Sequence, residues 1–346
     1  MSTLFAAALA RKNLGRPPVW FMRQAGRYHS HYQKLKQRHT FMELCKQPEL
    51  ACEVTMGPIE DFGFDAAILF SDLLFPLEVM GMGLRYEPGP KLGWQLSSPA
   101  DLAKLQGGIE LARGLQFQAE ALRAIRARLP AEKGLIGFVG GPLTLFAYAV
   151  EGSHAGELAS TRAGLTDGRF SGFQEKLRDL LAENMALQAR AGAEVVAMFD
   201  TCAGELDAET YRRYAVPAIR EVLEGFRAKQ PGTPVIYYSR GTGPAHWRAL
   251  EGLPIDCLGI DWKHELTGAL REWTPKYAVQ GNIDPEWLHL EPAELERRLR
   301  EVFASVRGLP DSIRAAWVCG LGHGVLQFTP EDNVRLFLKL QREYFG

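Results

Sequence analysis

What the sequence lacks narrows its chemistry before any residue is singled out. Along its 346 residues there is no C-x-x-C, H-x-C or H-E-x-x-H, so no metal-binding spacing presents itself. No P-loop occurs, and no glycine-rich nucleotide fingerprint follows the first apolar run. The five cysteines, Cys45, Cys52, Cys202, Cys257 and Cys319, are odd in number and widely spaced, a pattern of free thiols in a reducing compartment. No stretch reaches the ~18 uninterrupted apolar residues of a membrane span. The apolar start is short, and its positive charges (Arg11, Lys12) follow it rather than precede it. It therefore reads as a first amphipathic helix and not as a secretory signal. A soluble, cytoplasmic protein is expected. Charge of one sign is missing too: 40 basic residues against 41 acidic leave a net charge of -1, which gives broad nucleic-acid binding no support. Any anionic ligand must then meet positive charge concentrated in one place.

Such a concentration exists near the N-terminus. Val19-Trp20-Phe21-Met22 runs into Arg23-Gln24-Ala25-Gly26-Arg27-Tyr28, a pair of arginines with a glycine between them. Guanidinium is permanently charged and forks onto carboxylate or phosphate, so the pair suggests a clamp for a polyanion. The local pattern alone also allows two surface arginines in ion pairs, which is what most arginines are.

Short apolar runs, each ending in a polar residue or glycine, recur along the chain. They are Val19–Phe21, Ala66–Phe70, Leu135–Val139, Glu194–Phe199, Val235–Tyr238, Cys257–Ile260, Tyr277–Gln280 and Ala315–Cys319. Runs this apolar read as strands buried on both faces, as in a parallel sheet. Between them, Leu102 to Leu129, Phe173 to Ala191 and Leu295 to Val306 carry apolar residues at helical spacing. Ser98-Pro99, Asp207, Asp284-Pro285 and Thr329-Pro330 supply start signals. About eight strands alternating with helices fit a (β/α)8 barrel in one domain, 1–346, with a doubly wound open sheet as the structural alternative. The irregular stretch Leu73 to Ser97 is too long for a plain connection, and Leu84–Tyr86 pairing with Trp94–Leu96 would make it a hairpin. It is either a functional flap or a structural excursion.

In such a barrel the active site is built from the loops at the C-terminal ends of the strands. The residues that follow the runs are Arg23 and Arg27, Asp72, the Gly140 loop leading to Tyr148, Thr201, Arg240, Asp261, Asn282 and His323. Each has a plainer alternative. Asp72 and Thr201 suit turn caps, and Tyr148 suits a core position in a helix Leu143 to Val150. Asp261 reads as structural, and Gly281–Pro285 as loop closure and a cap. His323 is harder to set aside, because Gly322 and Gly324 leave room for a close ligand.

Taken together, Phe21–Tyr28, Ala66–Asp72, Gly141-Pro142-Leu143-Thr144 with Tyr148, Phe199-Asp200-Thr201, Gly259–Trp262, Gln280–Pro285 and Leu321–Gly324 resemble the uroporphyrinogen decarboxylase family, in order and at matching spacing from about residue 3 to the end. The resemblance implies a cofactor-free decarboxylase of haem biosynthesis, a (β/α)8 barrel active as a homodimer. It would convert the four acetates of uroporphyrinogen III to methyls, giving coproporphyrinogen III. Carried over by motif, Asp72, Arg23 and Arg27 form the catalytic set. Arg23, Gln24, Ala25, Gly26, Arg27, Asp72, Tyr148, Thr201 and His323 bind substrate, with no metal, no nucleic acid and no membrane span. Thr201 stands where some members have Ser. His29-Ser30-His31 departs from the family's turn, and Gly320 replaces a usual Asn. A zinc- or corrinoid-dependent methyltransferase of the same barrel and a non-catalytic tetrapyrrole-binding protein are the alternatives. The first would need His and Cys ligands at the mouth, and the second would not need Asp72.

These residue types suit that reaction. An electron-rich pyrrole, once protonated on a ring carbon, is its own sink for the electrons that a departing CO2 leaves behind. A carboxylate can accept from the pyrrole N–H groups and stabilise the cation as it forms. The arginines hold the remaining carboxylates of an octa-acid.

Overall fold

Every residue of the seven longer strands is buried, as both-face burial between outer helices demands. The computed structural model describes residues 3–87, 89–152 and 158–346. The strands are β1 (Ala66–Ile68), β2 (Arg85–Tyr86), β3 (Pro90–Lys91), β4 (Gly134–Gly140), β5 (Val195–Asp200), β6 (Val235–Ser239), β7 (Cys257–Gly259), β8 (Ala278–Ile283) and β9 (Trp317–Leu321). Seven of them form one parallel sheet in the order β1-β4-β5-β6-β7-β8-β9, while β2 and β3 pair only with each other. The main sheet thus follows chain order and curls, with helices over its outer face.

The first apolar run closes the ring, though not as the full strand that its composition suggests. Val19 makes a single parallel bridge to Cys319 of β9. The Cys319 amide donates to Pro18 O at 2.9 Å, and on the other side the Asp65 amide donates to Val19 O at 2.9 Å. Pro17 and Pro18 have no N–H to give, so the ladder cannot extend toward the N-terminus, and on the other side the Trp20 amide reaches Cys319 O only at 3.4 Å. Asp65 compensates. Its carboxylate grips both terminal nitrogens of Arg16 at 2.6 Å and accepts from the Val19 amide at 2.8 Å.

Helix signals hold in most places. Thr3 caps the first helix (Leu4–Leu9), and Asp207 and Asp284 cap the turns that follow them. Ser98 and Asp101 form a reciprocal capping box. Helices Arg169–Arg190 and Pro292–Arg307 extend the expected spans slightly. Four expectations need correcting. The stretch Leu102 to Leu129 is not one helix: two 3-10 segments, Pro99–Lys104 and Ile109–Leu115, precede a helix that starts at Gln116. Gly107 and Gly108 lie at the break, and Gly108 has φ +103°, which no helix accepts. The hairpin pairs Arg85 with Lys91 and Tyr86 with Pro90, not with Trp94–Leu96. Leu96 instead donates its amide to Ala149 O, joining the stretch to a neighbouring helix. The last helix (Glu331–Phe345) is capped at Pro330, while the Thr329 hydroxyl meets His289 Nε2 at 3.0 Å. Finally, Gly281, Asn282 and Ile283 belong to β8 rather than to a closing loop.

Candidate active site

The arginine loop is held from below. Gln24 is buried: its Oε1 accepts from the Phe21 amide at 3.1 Å and its Nε2 donates to Ala66 O at 3.0 Å. Tyr28 donates its hydroxyl to Gln24 O at 2.9 Å. These contacts hold Arg23 at φ +62°, an unusual conformation for a side-chain-bearing residue that costs roughly 1–3 kcal/mol. Gly324 explains where the Arg23 side chain goes, since a Cβ there would come within 2.5 Å of Arg23 Cδ. A Cβ on Gly322 would run into the Trp262 backbone. The two glycines around His323 therefore make room for protein, an arginine and a neighbouring loop, rather than for a ligand as the sequence suggests.

Asp72 follows β1 and faces the arginines. One oxygen caps the next turn, accepting from the Leu74 amide at 2.9 Å, so its plainer role is real and coexists with exposure to the cavity. Protein surrounds it on its other sides. That burial pushes its pKa above the usual carboxylate range, against the Tyr86 hydroxyl, the Leu74 amide and the Arg23 charge, which favour the anion. Arg23 opens onto the same space. Partial burial and the neighbouring Arg27 charge push its guanidinium below the ordinary arginine value.

Tyr148 and Thr201 are set by a residue that never reaches the cavity. Asp200 ends β5 fully buried and accepts from the Thr144 hydroxyl at 2.6 Å, the Thr144 amide at 3.2 Å and Tyr237 at 2.9 Å. The Cys202 amide in turn donates to the Thr144 hydroxyl at 3.1 Å. Gly141 lets the chain pass, because a Cβ there would sit 2.7 Å from Asp200 Cγ. This knot joins the end of β5, which carries Thr201, to the helix Pro142–Glu151, which carries Tyr148. On the far side His323 stands between two near-parallel rings, Tyr238 at 6.3 Å and Trp262 at 6.0 Å.

Arg23, Ala25, Gly26, Arg27, Asp72, Tyr148, Thr201 and His323 line one cavity of about 490 Å³. Gln24 does not line it, since its side chain is committed to the loop and the sheet. Neither Arg240, Asp261 nor Asn282 lines it. Asp261 is structural as expected, accepting from the Gly241 and Lys263 amides, and Asn282 ties Asp261 O to His264 O. Residues that sequence reasoning missed also line the cavity. Lys36 adds a third cation, Tyr86 arrives from the hairpin, and Phe41, Phe70, Phe138 and Phe199 give an apolar wall. Only the fold brings these together. A polar mouth over an apolar wall is the usual build of a small-molecule site. A larger hollow of about 570 Å³ lies between Asp61, Phe62 and the last helix, but most of its charges are already paired, Arg335 with Glu331, Asp61 with His29 and Lys339 with Glu343. The site is therefore assigned to the smaller cavity.

A closed parallel α/β barrel whose strand ends gather three cations around one acid is a barrel enzyme for a polyanionic substrate. The uroporphyrinogen decarboxylase (URO-D) family model matches residues 2–344. A uroporphyrinogen decarboxylase from Pelobacter propionicus is 36% identical over 98% of each chain. One from Trichlorobacter lovleyi is 36% identical over 98% of this chain and 97% of its own. Among solved structures, a methyltransferase from Methanosarcina mazei shares the fold at a TM-score of 0.79 over 100% of both chains, with 17% identity. The chain belongs to the uroporphyrinogen decarboxylase family.

Proposed function

We propose that this chain decarboxylates the four acetate side chains of uroporphyrinogen III, giving coproporphyrinogen III, without a cofactor. Family membership over the whole chain supports the reaction, and the observation that carries the site assignment is Asp72 facing Arg23 and Arg27 across one cavity. Asp72 accepts the pyrrole N–H groups. A proton added to a ring carbon makes the cation that Asp72 stabilises, and the acetate C–C bond then breaks with its electron pair moving into the ring. The resulting exocyclic methylene takes up a proton to become methyl, and the ring carbon gives its proton back. Each turn therefore consumes one proton and releases one CO2.

Arg23 and Arg27 hold carboxylates of the substrate, with Lys36 beside them. A guanidinium is a poor acid near neutral pH, so these residues position and neutralise rather than transfer protons. Tyr148, Thr201 and His323 complete the contacts, and Ala25 and Gly26 approach the substrate between the arginines. The same reading makes residues 1–346 one domain that works in the cytoplasm, binding no nucleic acid. Among the described residues no helix is long and apolar enough to cross a membrane. A homodimer belongs to the reading too: Phe328, 79% exposed, lies next to the cavity-lining Gln327 and offers an apolar contact at the mouth. Anaerobic incubation with uroporphyrinogen III, then chromatography of the oxidised porphyrins, tests the activity. Products with seven down to four carboxyls are expected, and their absence would sink the reading. Asp72→Asn should lower kcat by about 100-fold or more while KM changes little. Light scattering tests the dimer.

A further inference from the structure

The hairpin β2–β3 sends one side chain into the cavity that no motif accounts for. Tyr86 packs its ring on Phe41 at a centroid distance of 4.5 Å and lines the cavity beside Asp72. Its hydroxyl oxygen is shut off from solvent and has no partner within reach other than the Asp72 carboxylate. A buried phenol without a partner is expensive, and the acceptor it faces is the Asp72 carboxylate. We propose that Tyr86 is a positioning residue for Asp72, its hydroxyl donating to the carboxylate and holding it aimed at the substrate's pyrrole N–H groups.

The proposal rests on the decarboxylase reading of this site. Asp72 already accepts from the Leu74 amide on one oxygen. A second fixed donor leaves the carboxylate little freedom to rotate, and its remaining lone pairs then face the cavity. The hydroxyl also favours the anion against the burial that disfavours it, and only the anion can accept from pyrrole N–H groups. The other titratable groups facing Asp72 are Arg23 from the arginine loop, Cys45 from the helix Phe41–Lys46 and Tyr148 from the helix Pro142–Glu151. Of these only Arg23 is a cation, so removing the hydroxyl leaves the anion weakly supported.

Tyr86→Phe keeps the ring against Phe41 and deletes only the hydroxyl. The acidic limb of the kcat/KM profile should move up by about one pH unit, kcat at neutral pH should fall several-fold, and Tm should stay put. A profile that superimposes on the wild type overturns the proposal, as does a loss seen only in Tyr86→Leu, which would assign the effect to the ring. Carbon-13 NMR titration of the Asp72 carboxyl in the ligand-free wild type and Tyr86→Phe gives the same answer without turnover. An upward shift in the variant supports the proposal, and identical titrations overturn it. A wild type inactive on uroporphyrinogen, with the titration still moved by the substitution, would sink the decarboxylase reading and leave Tyr86's hold on Asp72 standing.

Discussion

Asp72 is pulled in two directions by its surroundings. Burial favours its neutral form, whereas the Leu74 amide, Tyr86 and Arg23 favour the anion, and burial prevails. A carboxyl whose pKa is higher in the folded chain than in the unfolded one destabilises the fold when it ionises. The penalty is absent below the unfolded value of about 3.9 and grows as pH rises through the folded one. Asp72→Asn should therefore stabilise the ligand-free protein at pH 7, by roughly 1 kcal/mol, while it destroys activity. Thermal melts at pH 7 and pH 3 check this: the gain should be present at the first and gone at the second. Gly324 offers the complementary case of function lost without stability. Gly324→Ala places a Cβ 2.5 Å from Arg23 Cδ, and a long side chain can swing aside. We expect kcat/KM to fall about tenfold with Tm nearly unchanged, because a catalytic contact is displaced and no core is disturbed.

At the scale of elements, two short pieces decide the geometry of the mouth. The Asp200–Thr144 knot couples β5 to the helix Pro142–Glu151. The arginine loop is anchored at its far end by His29. His29 is fully buried at the N-terminus of the helix Ser30–Lys36, with Nε2 at 2.7 Å from Asp61. Burial pushes its pKa down, Asp61 and Glu331 pull it up and His31 pushes it down further, with burial the largest effect. A histidine held neutral in the fold must be charged in the unfolded chain as pH falls below about 6.5. Stability should then drop from about pH 7 toward pH 5. His29→Asn should flatten that slope, and melts across the range would show it. If the slope is unchanged, some other group carries it. Gly57 sits against the same pair, since a Cβ there would come 2.5 Å from His31 Cδ2. The absent side chain of Gly57 is the space the His31 ring occupies.

For the whole molecule, the decisive event is closure of the barrel, and it rests on few hydrogen bonds. Asp65 joins Arg16, the Val19 amide and the start of β1, so Asp65→Ala should cost about 3 kcal/mol in chemical denaturation, more than a surface ion pair would. The pattern of apolar runs establishes a parallel α/β sheet and points to most of its mouth, while closure into a barrel is read from the Val19–Cys319 bridge. Seven of the eight apolar runs are buried strands and the first is a bridge beside them, and a polar residue just after such a run lands at the strand ends. Asp72, Thr201, His323 and the two arginines were legible for that reason, and Tyr148 through the Gly141–Thr144 motif that leads to it. Tertiary structure decided the rest. Gln24 carries the right chemistry in the right motif, yet its amide matches orphan backbone groups below the loop and turns away from the cavity. Gly322 and Gly324 look like space for a ligand, but only the coordinates reveal Trp262 and Arg23 filling it. Lys36, Phe41 and Tyr86 lie outside the motifs, while Phe70, Phe138 and Phe199 sit in apolar runs that read as core, so no local pattern marks any of them as cavity wall. Periodicity reports which face of an element is buried, because burial repeats with the backbone. It cannot report which distant side chain meets that face, because that depends on how the closed ring brings separate loops together.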